Sequence, residues 1–242
     1  MAKLRSSNIE PSTGTTLALG ASGDAALISS DSIKANTWQD LGGNSLFVSD
    51  GSGTLSSVNS GLAGGGYTLI STNTADASTT VDITTGIDST YDEYVFVCTD
   101  INPSTDHANL QVQFNASGES GFNETITSTF WQAWNLSTGG SDESINLSTG
   151  QSQGQGTAYQ QLTAAMGNEA AEGCAGIFTL YSPSSTTYVK HFVATFNTFN
   201  SSLYTYNTYI AGFLHTASAI TQVSWGVTAG NFDGVIQMYG VS

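Results

Sequence analysis

The sequence predicts an all-β protein in which an extended N-terminal arm precedes a jelly-roll-like β-sandwich. Three observations lead to this prediction. Strand-forming residues are abundant, with 11 Phe and 10 Tyr among the 242 residues. Charged residues make up only 10% of the chain, so the long charged side chains that usually cover exposed helices are scarce. Short apolar runs alternate with turn-prone groups of Gly, Ser and Asn.

The first part of the chain is predicted to be an arm, because its apolar groups are too short and too widely spaced to enclose a core. We place this attachment and assembly arm at residues 1–37. A short Gly/Ser-rich connector follows at 38–66. Three of the four cations, Lys3, Arg5 and Lys34, lie in the arm. We expect them to anchor the arm to an acidic partner surface.

Residues 67–242 are predicted to form the sandwich body. Residues 110–114 alternate apolar and polar side chains, the period of two that places one face of a strand on a core. Residues 94–98 form a continuous apolar run, which is typical of a strand covered on both faces. The other predicted strands are 67–70, 81–83, 126–134, 176–181, 188–195, 209–214, 221–227 and 234–239. Residues 159–171 fit a short helix or a loop, since Gly167 and Asn168 interrupt the helical spacing.

Charge excludes one class of partner. The chain has 4 Lys or Arg against 19 Asp or Glu and a formal net charge of -15. Nucleic-acid binding needs clustered cations that displace the counterions of phosphates, so we expect no nucleic-acid partner.

No apolar run is long enough to span a membrane, and we expect no membrane insertion. Cys98 and Cys174 fit no compact zinc or redox motif and are interpreted as small buried hydrophobic residues.

The candidate catalytic residues do not form a recognisable motif. His107, His191 and His215 have no partner at motif spacing, and we interpret them as ordinary loop and strand residues. A glycoside hydrolase needs two carboxylates across a cleft, a separation that sequence spacing cannot test. Such carboxylates could come from Asp92, Glu93, Asp100, Asp142 or Glu143. We therefore predict no catalytic residue, no metal site and no cofactor.

Five aromatic residues are the candidate contacts to a glycan or a protein partner. Trp131 and Trp134, together with Phe130, could form a sugar-stacking platform, although core packing is the favoured interpretation of the two tryptophans. Tyr204, Tyr206 and Tyr209 form a second group. Tyr204 and Tyr206 are two residues apart, so they share one face of a strand and could also line a subunit interface.

Several phrases of the sequence resemble a known group of proteins. They are the opening segment 7–24 and, in the body, 85–94, 180–192 and 234–241. These phrases are similar to those of tail-fibre and virion proteins of marine bacteriophages, a resemblance that covers the opening segment and most of the body. It implies a structural protein of the phage particle, made in the host cytoplasm and displayed on the virion surface. The segment 25–66 is short, which favours a stub, a spike or a knob over a long fibre.

The expected function is that of a fibre or spike subunit that assembles with itself and with other virion proteins. The arm and the scarcity of charge lead us to expect a homotrimer, and a host surface glycan is a further expected partner. Three alternatives stay open. The chain could be a capsid decoration or head-fibre protein, a lectin-like module that is not part of a particle, or a polysaccharide depolymerase.

Overall fold

The computed structural model describes residues 37–39, 44–49, 52, 55–58, 66–140 and 142–241, and all regular structure within them is β. The chain divides into two compact units, Met1–Gly64 and Gly65–Ser242. This division lies two residues before the predicted boundary at 66/67. Apart from Thr37, the predicted arm lies outside the described residues.

The first unit contains a small antiparallel sheet. Its strands are β1 (Thr37–Gln39), β2 (Ser45–Ser49) and β3 (Leu55–Val58), in the order β1-β2-β3. Trp38 of β1 stacks on Phe47, its direct partner on β2, with ring centroids 5.7 Å apart. Most of this sheet lies in the segment predicted as a connector, because the apolar run at 46–48 forms a strand there.

The second unit contains thirteen strands. They are β4 (Thr68–Ser78), β5 (Thr80–Ile83), β6 (Glu93–Pro103), β7 (Leu110–Ala116), β8 (Ile126–Leu136), β9 (Glu143–Leu147), β10 (Gly154–Gly156), β11 (Gln160–Gln161), β12 (Gly173–Tyr181), β13 (Lys190–Phe199), β14 (Tyr204–Leu214), β15 (Ile220–Val227) and β16 (Phe232–Val241). The large sheet has the order β10-β8-β14-β13-β12-β6-β16-β4, with β9 also paired to β8. The small sheet has the order β11-β7-β15-β5. All pairings are antiparallel, and the chain crosses repeatedly between the sheets, so the sandwich is jelly-roll-like.

The all-β prediction is confirmed, and all ten predicted strands are present. Most are longer than predicted. The sequence did not predict β9, β10 or β11, which are short and largely exposed or polar. Residues 159–171 contain β11 and turns, so the loop interpretation of this segment is the correct one.

An aromatic group joins the two sheets at the centre of the sandwich. We call it the core cluster: Phe96, Phe178 and Phe192 from the large sheet, and Phe114 and Trp225 from the small sheet. All five side chains are buried. Phe178 contacts each of the other four, with ring centroids 5.3–6.1 Å apart. Burying a large aromatic side chain stabilises the fold by about 2–3 kcal/mol, so this cluster is a major source of cohesion between the sheets.

The two sheets differ in how their outward faces are covered. On the small sheet, Gln113 and Ser224 are direct partners on the face opposite to the core cluster, yet both are fully buried. The Gln113 amide donates to the carbonyl oxygens of Glu124, Thr157 and Ala158, at 3.0–3.1 Å. Loops therefore cover this face, so the strand with the predicted core face at 110–114 is also covered on its other side at Gln113.

Lys190, at the start of β13, is fully buried. Its Nζ donates to the backbone carbonyl oxygens of Tyr188 at 2.6 Å, Ala217 at 3.3 Å and Thr216 at 3.4 Å. Burial lowers the pKa of its ammonium group. The ammonium thus ties the loop before β13 to the loop between β14 and β15.

We expect Lys190→Met to lower the free energy of unfolding by about 2–4 kcal/mol at neutral pH, because buried carbonyl oxygens lose a charged donor. Between the lowered pKa and the ordinary value of 10.5, the folded chain binds fewer protons than the unfolded chain. The contribution of Lys190 to the free energy of unfolding therefore rises with pH in that window. The difference in stability between the wild type and the variant should grow accordingly. Chemical denaturation of both proteins at neutral and alkaline pH measures the difference in their free energies of unfolding. Equal stability of the two proteins at neutral pH would contradict the role of the ammonium, and a wild-type advantage that does not grow with pH would contradict the lowered pKa.

Candidate functional site

The strand period divides the five predicted aromatic residues between two faces of the large sheet. Trp131 of β8 and Tyr209 of β14 are direct partners on the outer face. Trp134 and Tyr206 are direct partners on the inner face, and Tyr204 follows two residues away on that face. Residues three apart on a strand point to opposite faces, so Trp131 and Trp134 do not form one platform.

The expectation that the tryptophans pack in the core is wrong for both of them. Trp131 is 37% exposed and Trp134 is half-buried, whereas Trp225 occupies the core. Phe130, the third member of the suggested platform, is fully buried on the inner face. The aromatic residues that fill the sandwich are mostly phenylalanines, which leaves Trp131 and Trp134 near the surface.

On the outer face, Trp131 and Tyr209 cover each other. Their ring centroids are 4.1 Å apart and their planes differ by 11°. Neighbouring strands are about 4.8 Å apart, so these rings stand side by side and each hides one face of the other. The pair therefore adds compact apolar bulk to the outer face and is poorly arranged as a flat sugar-stacking platform.

Three rows of directly paired residues cross the outer face; we call them the outer rows. The central row consists of Leu147, Trp131, Tyr209, Thr195, Ile177, Val97, Gln237 and Thr72. One flanking row is Thr129, Ala211, Val193, Thr179, Val95, Tyr239 and Leu69. The other is Ile145, Ala133, Asn207, Asn197 and Ala175. The outer rows contain no Asp, Glu, Lys or Arg.

Several large apolar side chains of the outer rows are exposed. Ile145 is 65% exposed, Leu147 60%, Leu69 51%, Ile177 48% and Val193 46%. Exposed apolar groups that line up across a sheet are typical of an interaction surface. The outer face therefore differs from that of the small sheet, which loops cover.

A second arrangement, which we call the end cluster, lies where β8 and β14 end on the inner face. It consists of Trp134, Tyr204, Tyr206 and Asp142, the last in the turn between β8 and β9. The centroid of the Tyr206 ring lies 6.1 Å from that of Trp134 and 6.1 Å from that of Tyr204, with tilted planes. The Tyr204 hydroxyl donates to the Asp142 carboxylate.

The Asp142 carboxylate sets the electrostatics of the end cluster. Its hydrogen bond is the main reason why the pKa of Tyr204 is raised, and burial adds to the effect. The pKa of Tyr206 is raised chiefly by burial and further by the negative charge of Asp142. Both hydroxyls therefore keep their protons at neutral pH and can donate or accept hydrogen bonds.

Backbone hydrogen bonds hold the end cluster in place. Asn200, almost fully buried, accepts from the backbone N–H groups of Ser202 at 3.1 Å and Tyr204 at 3.0 Å. The backbone N–H of Ser137 donates to the Leu203 carbonyl at 2.7 Å, which joins the turn after β8 to the turn before β14. The strand ends that carry the aromatic rings are thus fixed relative to each other.

His107 has two polar neighbours that the sequence did not predict. Its Nε2 lies 3.4 Å from Asp106 Oδ2 and 3.4 Å from Ser201 Oγ, while the Ser201 hydroxyl donates to Asp106 Oδ2 at 3.0 Å. A Ser-His-Asp triad uses one ring nitrogen for the serine and the other for the carboxylate. Here the carboxylate meets the same nitrogen as the serine, so the geometry is not that of a triad. Ser201 is 94 residues from His107, a distance that no local motif could have revealed.

The other two histidines and the five candidate carboxylates are dispersed. His191 faces Phe213 across the outer face of β13 and β14, and His215 Nε2 lies 2.7 Å from Thr127 Oγ1. Asp92 and Glu93 lie at one end of β6. The remaining three candidates, Asp100, Asp142 and Glu143, lie toward the opposite end of the large sheet.

Cys98 and Cys174 are buried free thiols, as interpreted from the sequence, and burial raises the pKa of both. Within the described ranges, no three His, Cys, Asp or Glu side chains are placed to hold a metal ion. That part of the chain also contains no helix with the length and hydropathy to cross a membrane. The predicted anchoring residues Lys3, Arg5 and Lys34 lie outside the described residues.

Comparison with protein-family models, with curated proteins and with solved structures finds no match to this chain.

Proposed function

We propose that this chain is a structural subunit of a bacteriophage particle, a fibre or spike protein that assembles with itself through the outer face of its large sheet. The observation that carries the proposal is the set of outer rows. They join exposed apolar side chains to small hydroxyl and amide side chains without a charge, and the central row crosses eight strands. The location on a particle is inferred from the sequence phrases alone, whose resemblance to phage virion proteins supports it.

The size of the outer rows supports a self-association surface. The outer rows hold 20 residues, and at about 4.8 Å between strands and about 7 Å between rows they span roughly 700 Å². A stable protein–protein interface buries about 800 Å² per partner. The outer rows therefore provide close to the area that one partner needs, before any contribution from the first unit.

The distribution of charge supports a second copy of this chain as the partner. With a net charge of -15, two copies repel each other wherever their acidic surfaces meet. The outer rows contain no carboxylates, so two copies can bring them together without placing like charges in contact. Apolar burial then supplies the favourable free energy.

We propose assembly and binding as the task of the chain, rather than catalysis. The arrangement of Ser201, His107 and Asp106 supports this, because the serine proton is directed to the carboxylate and not to the imidazole.

The proposed location on the virion can be tested with purified particles of a phage whose genome encodes this chain. We expect the chain to remain with particles through density-gradient purification, and quantitative mass spectrometry then gives its copy number. A few copies per particle fit a fibre or spike, whereas a copy number that matches the capsid subunits fits the alternative of a decoration protein. Absence from purified particles would exclude both.

The self-association surface predicts the effect of a charge at its centre. Ile177→Glu should weaken self-association by about 100-fold or more, because like charges placed together in an interface cost several kcal/mol. Sedimentation equilibrium and light scattering measure the affinity and the number of copies, for which we expect three.

Leu203→Glu is the matched control for this prediction. Leu203 is 43% exposed and lies in the turn between β13 and β14, away from the outer rows. It adds the same charge to the chain and should leave association unchanged. A wild-type monomer at micromolar concentration, or equal weakening by both substitutions, would contradict the assignment of the surface.

A further inference from the structure

We propose that the end cluster is a binding site for a neutral saccharide. The site lies on the inner face of the large sheet and is separate from the outer rows, so the inference goes beyond the proposed assembly function. It is carried by the exposure, ring geometry and polar groups of Trp134, Tyr204, Tyr206 and Asp142.

The inner-face side chains of β8 and β14 become more exposed toward one end of these strands. Phe130 and Ile210, direct partners near the middle of these strands, are buried in the core. Trp134 and Tyr206, the inner-face pair four residues further toward the strand ends, are only half-buried, as is Tyr204. The aromatic surface therefore continues past the sandwich core to where solvent reaches it.

The ring geometry leaves aromatic faces open. The Tyr206 centroid lies 6.1 Å from that of Trp134, with planes 36° apart, and 6.1 Å from that of Tyr204, with planes 45° apart. Rings at this distance and tilt do not cover each other, unlike Trp131 and Tyr209 at 4.1 Å and 11°. A pyranose stacks its C–H face on an open aromatic face, so the end cluster, and not the outer pair, has the required arrangement.

Polar groups border the open rings. Asp142 and the Tyr204 hydroxyl are hydrogen-bonded to each other at the exposed edge, and each has further acceptor capacity for a sugar hydroxyl. On the inner side, the buried atoms Gln132 Oε1 and Thr198 Oγ1 have no partner within the protein. Gln132 precedes Trp134 on the same face, and Thr198 is the direct partner of Tyr206. Because both oxygens are buried, an enclosed water rather than a saccharide hydroxyl is the partner that can reach them.

The charge of the site favours a neutral ligand. Asp142 and the net charge of -15 disfavour an anionic sugar. The carboxylate is already hydrogen-bonded to Tyr204, so it is arranged to accept from hydroxyls as well as to attract a cation. Open aromatic faces next to hydroxyl, amide and carboxylate oxygens match the alternating apolar and hydroxyl surface of an uncharged pyranose chain.

Titration with four neutral hexasaccharides, of glucose in α-1,4, β-1,4 and β-1,3 linkage and of N-acetylglucosamine in β-1,4 linkage, tests the inference. The readouts are intrinsic tryptophan fluorescence and calorimetry, and we expect millimolar or tighter binding of at least one. Trp134→Ala should weaken that binding by about tenfold or more. Tyr188→Ala is the matched control: Tyr188 is an exposed aromatic residue in the loop before β13, outside the end cluster and the outer rows, and its substitution should leave the affinity unchanged.

Tyr204→Phe gives a second readout that does not depend on the large Trp134 substitution. It removes one hydroxyl, keeps the ring, and should weaken saccharide binding severalfold while circular dichroism stays unchanged. A monomeric chain that still binds the hexasaccharide would support this inference while contradicting the proposed assembly. Three results would overturn the inference: no binding at millimolar concentration, binding only of charged oligosaccharides, or equal weakening by Tyr188→Ala and Trp134→Ala.

Discussion

The contact between the two sheets through Phe178 is the constraint on which the rest of the sandwich depends. Phe178 meets Phe96 and Phe192 within its own sheet and Phe114 and Trp225 across the core. These rings fix which face of each strand is inner, because successive side chains of a strand alternate. Once Phe178 points inward, Ile177 must point outward, and the register extends that choice across the large sheet. The outer rows are thus a consequence of the packing of the core.

The unequal size of the sheets determines where the candidate surfaces lie. The small sheet has four strands and buries its outward polar residues, such as Gln113, under loops. The large sheet has nine strands and keeps exposed apolar residues, such as Ile177, on its outer face. Its inner face also extends past the buried core residues Phe130 and Ile210, so Trp134 and Tyr206 are partly exposed to solvent. One asymmetric sandwich therefore provides a broad band of uncharged outer rows and, separately, a smaller aromatic cluster at the strand ends.

Much of the fold could be predicted, since strands with apolar runs or a period of two are visible in the sequence. The exposed strand β9 could not, because none of its residues is buried and only its pairing with β8 makes it a strand. The division of Trp131 from Trp134 could have been predicted, since a separation of three places strand residues on opposite faces. The approach of Ser201 to His107 and of Asp142 to Tyr204 could not, because both contacts arise from turns that are distant in sequence.

The claim at the centre of this account is that the outer rows are buried between copies of the chain. An electron cryomicroscopy reconstruction of the purified wild-type oligomer, at a resolution that separates the strands, tests it most directly. We predict that the outer face of the large sheet, centred on Ile177, lies against another copy in every subunit. A reconstruction in which the copies contact each other elsewhere and leave this face in solvent would contradict the account.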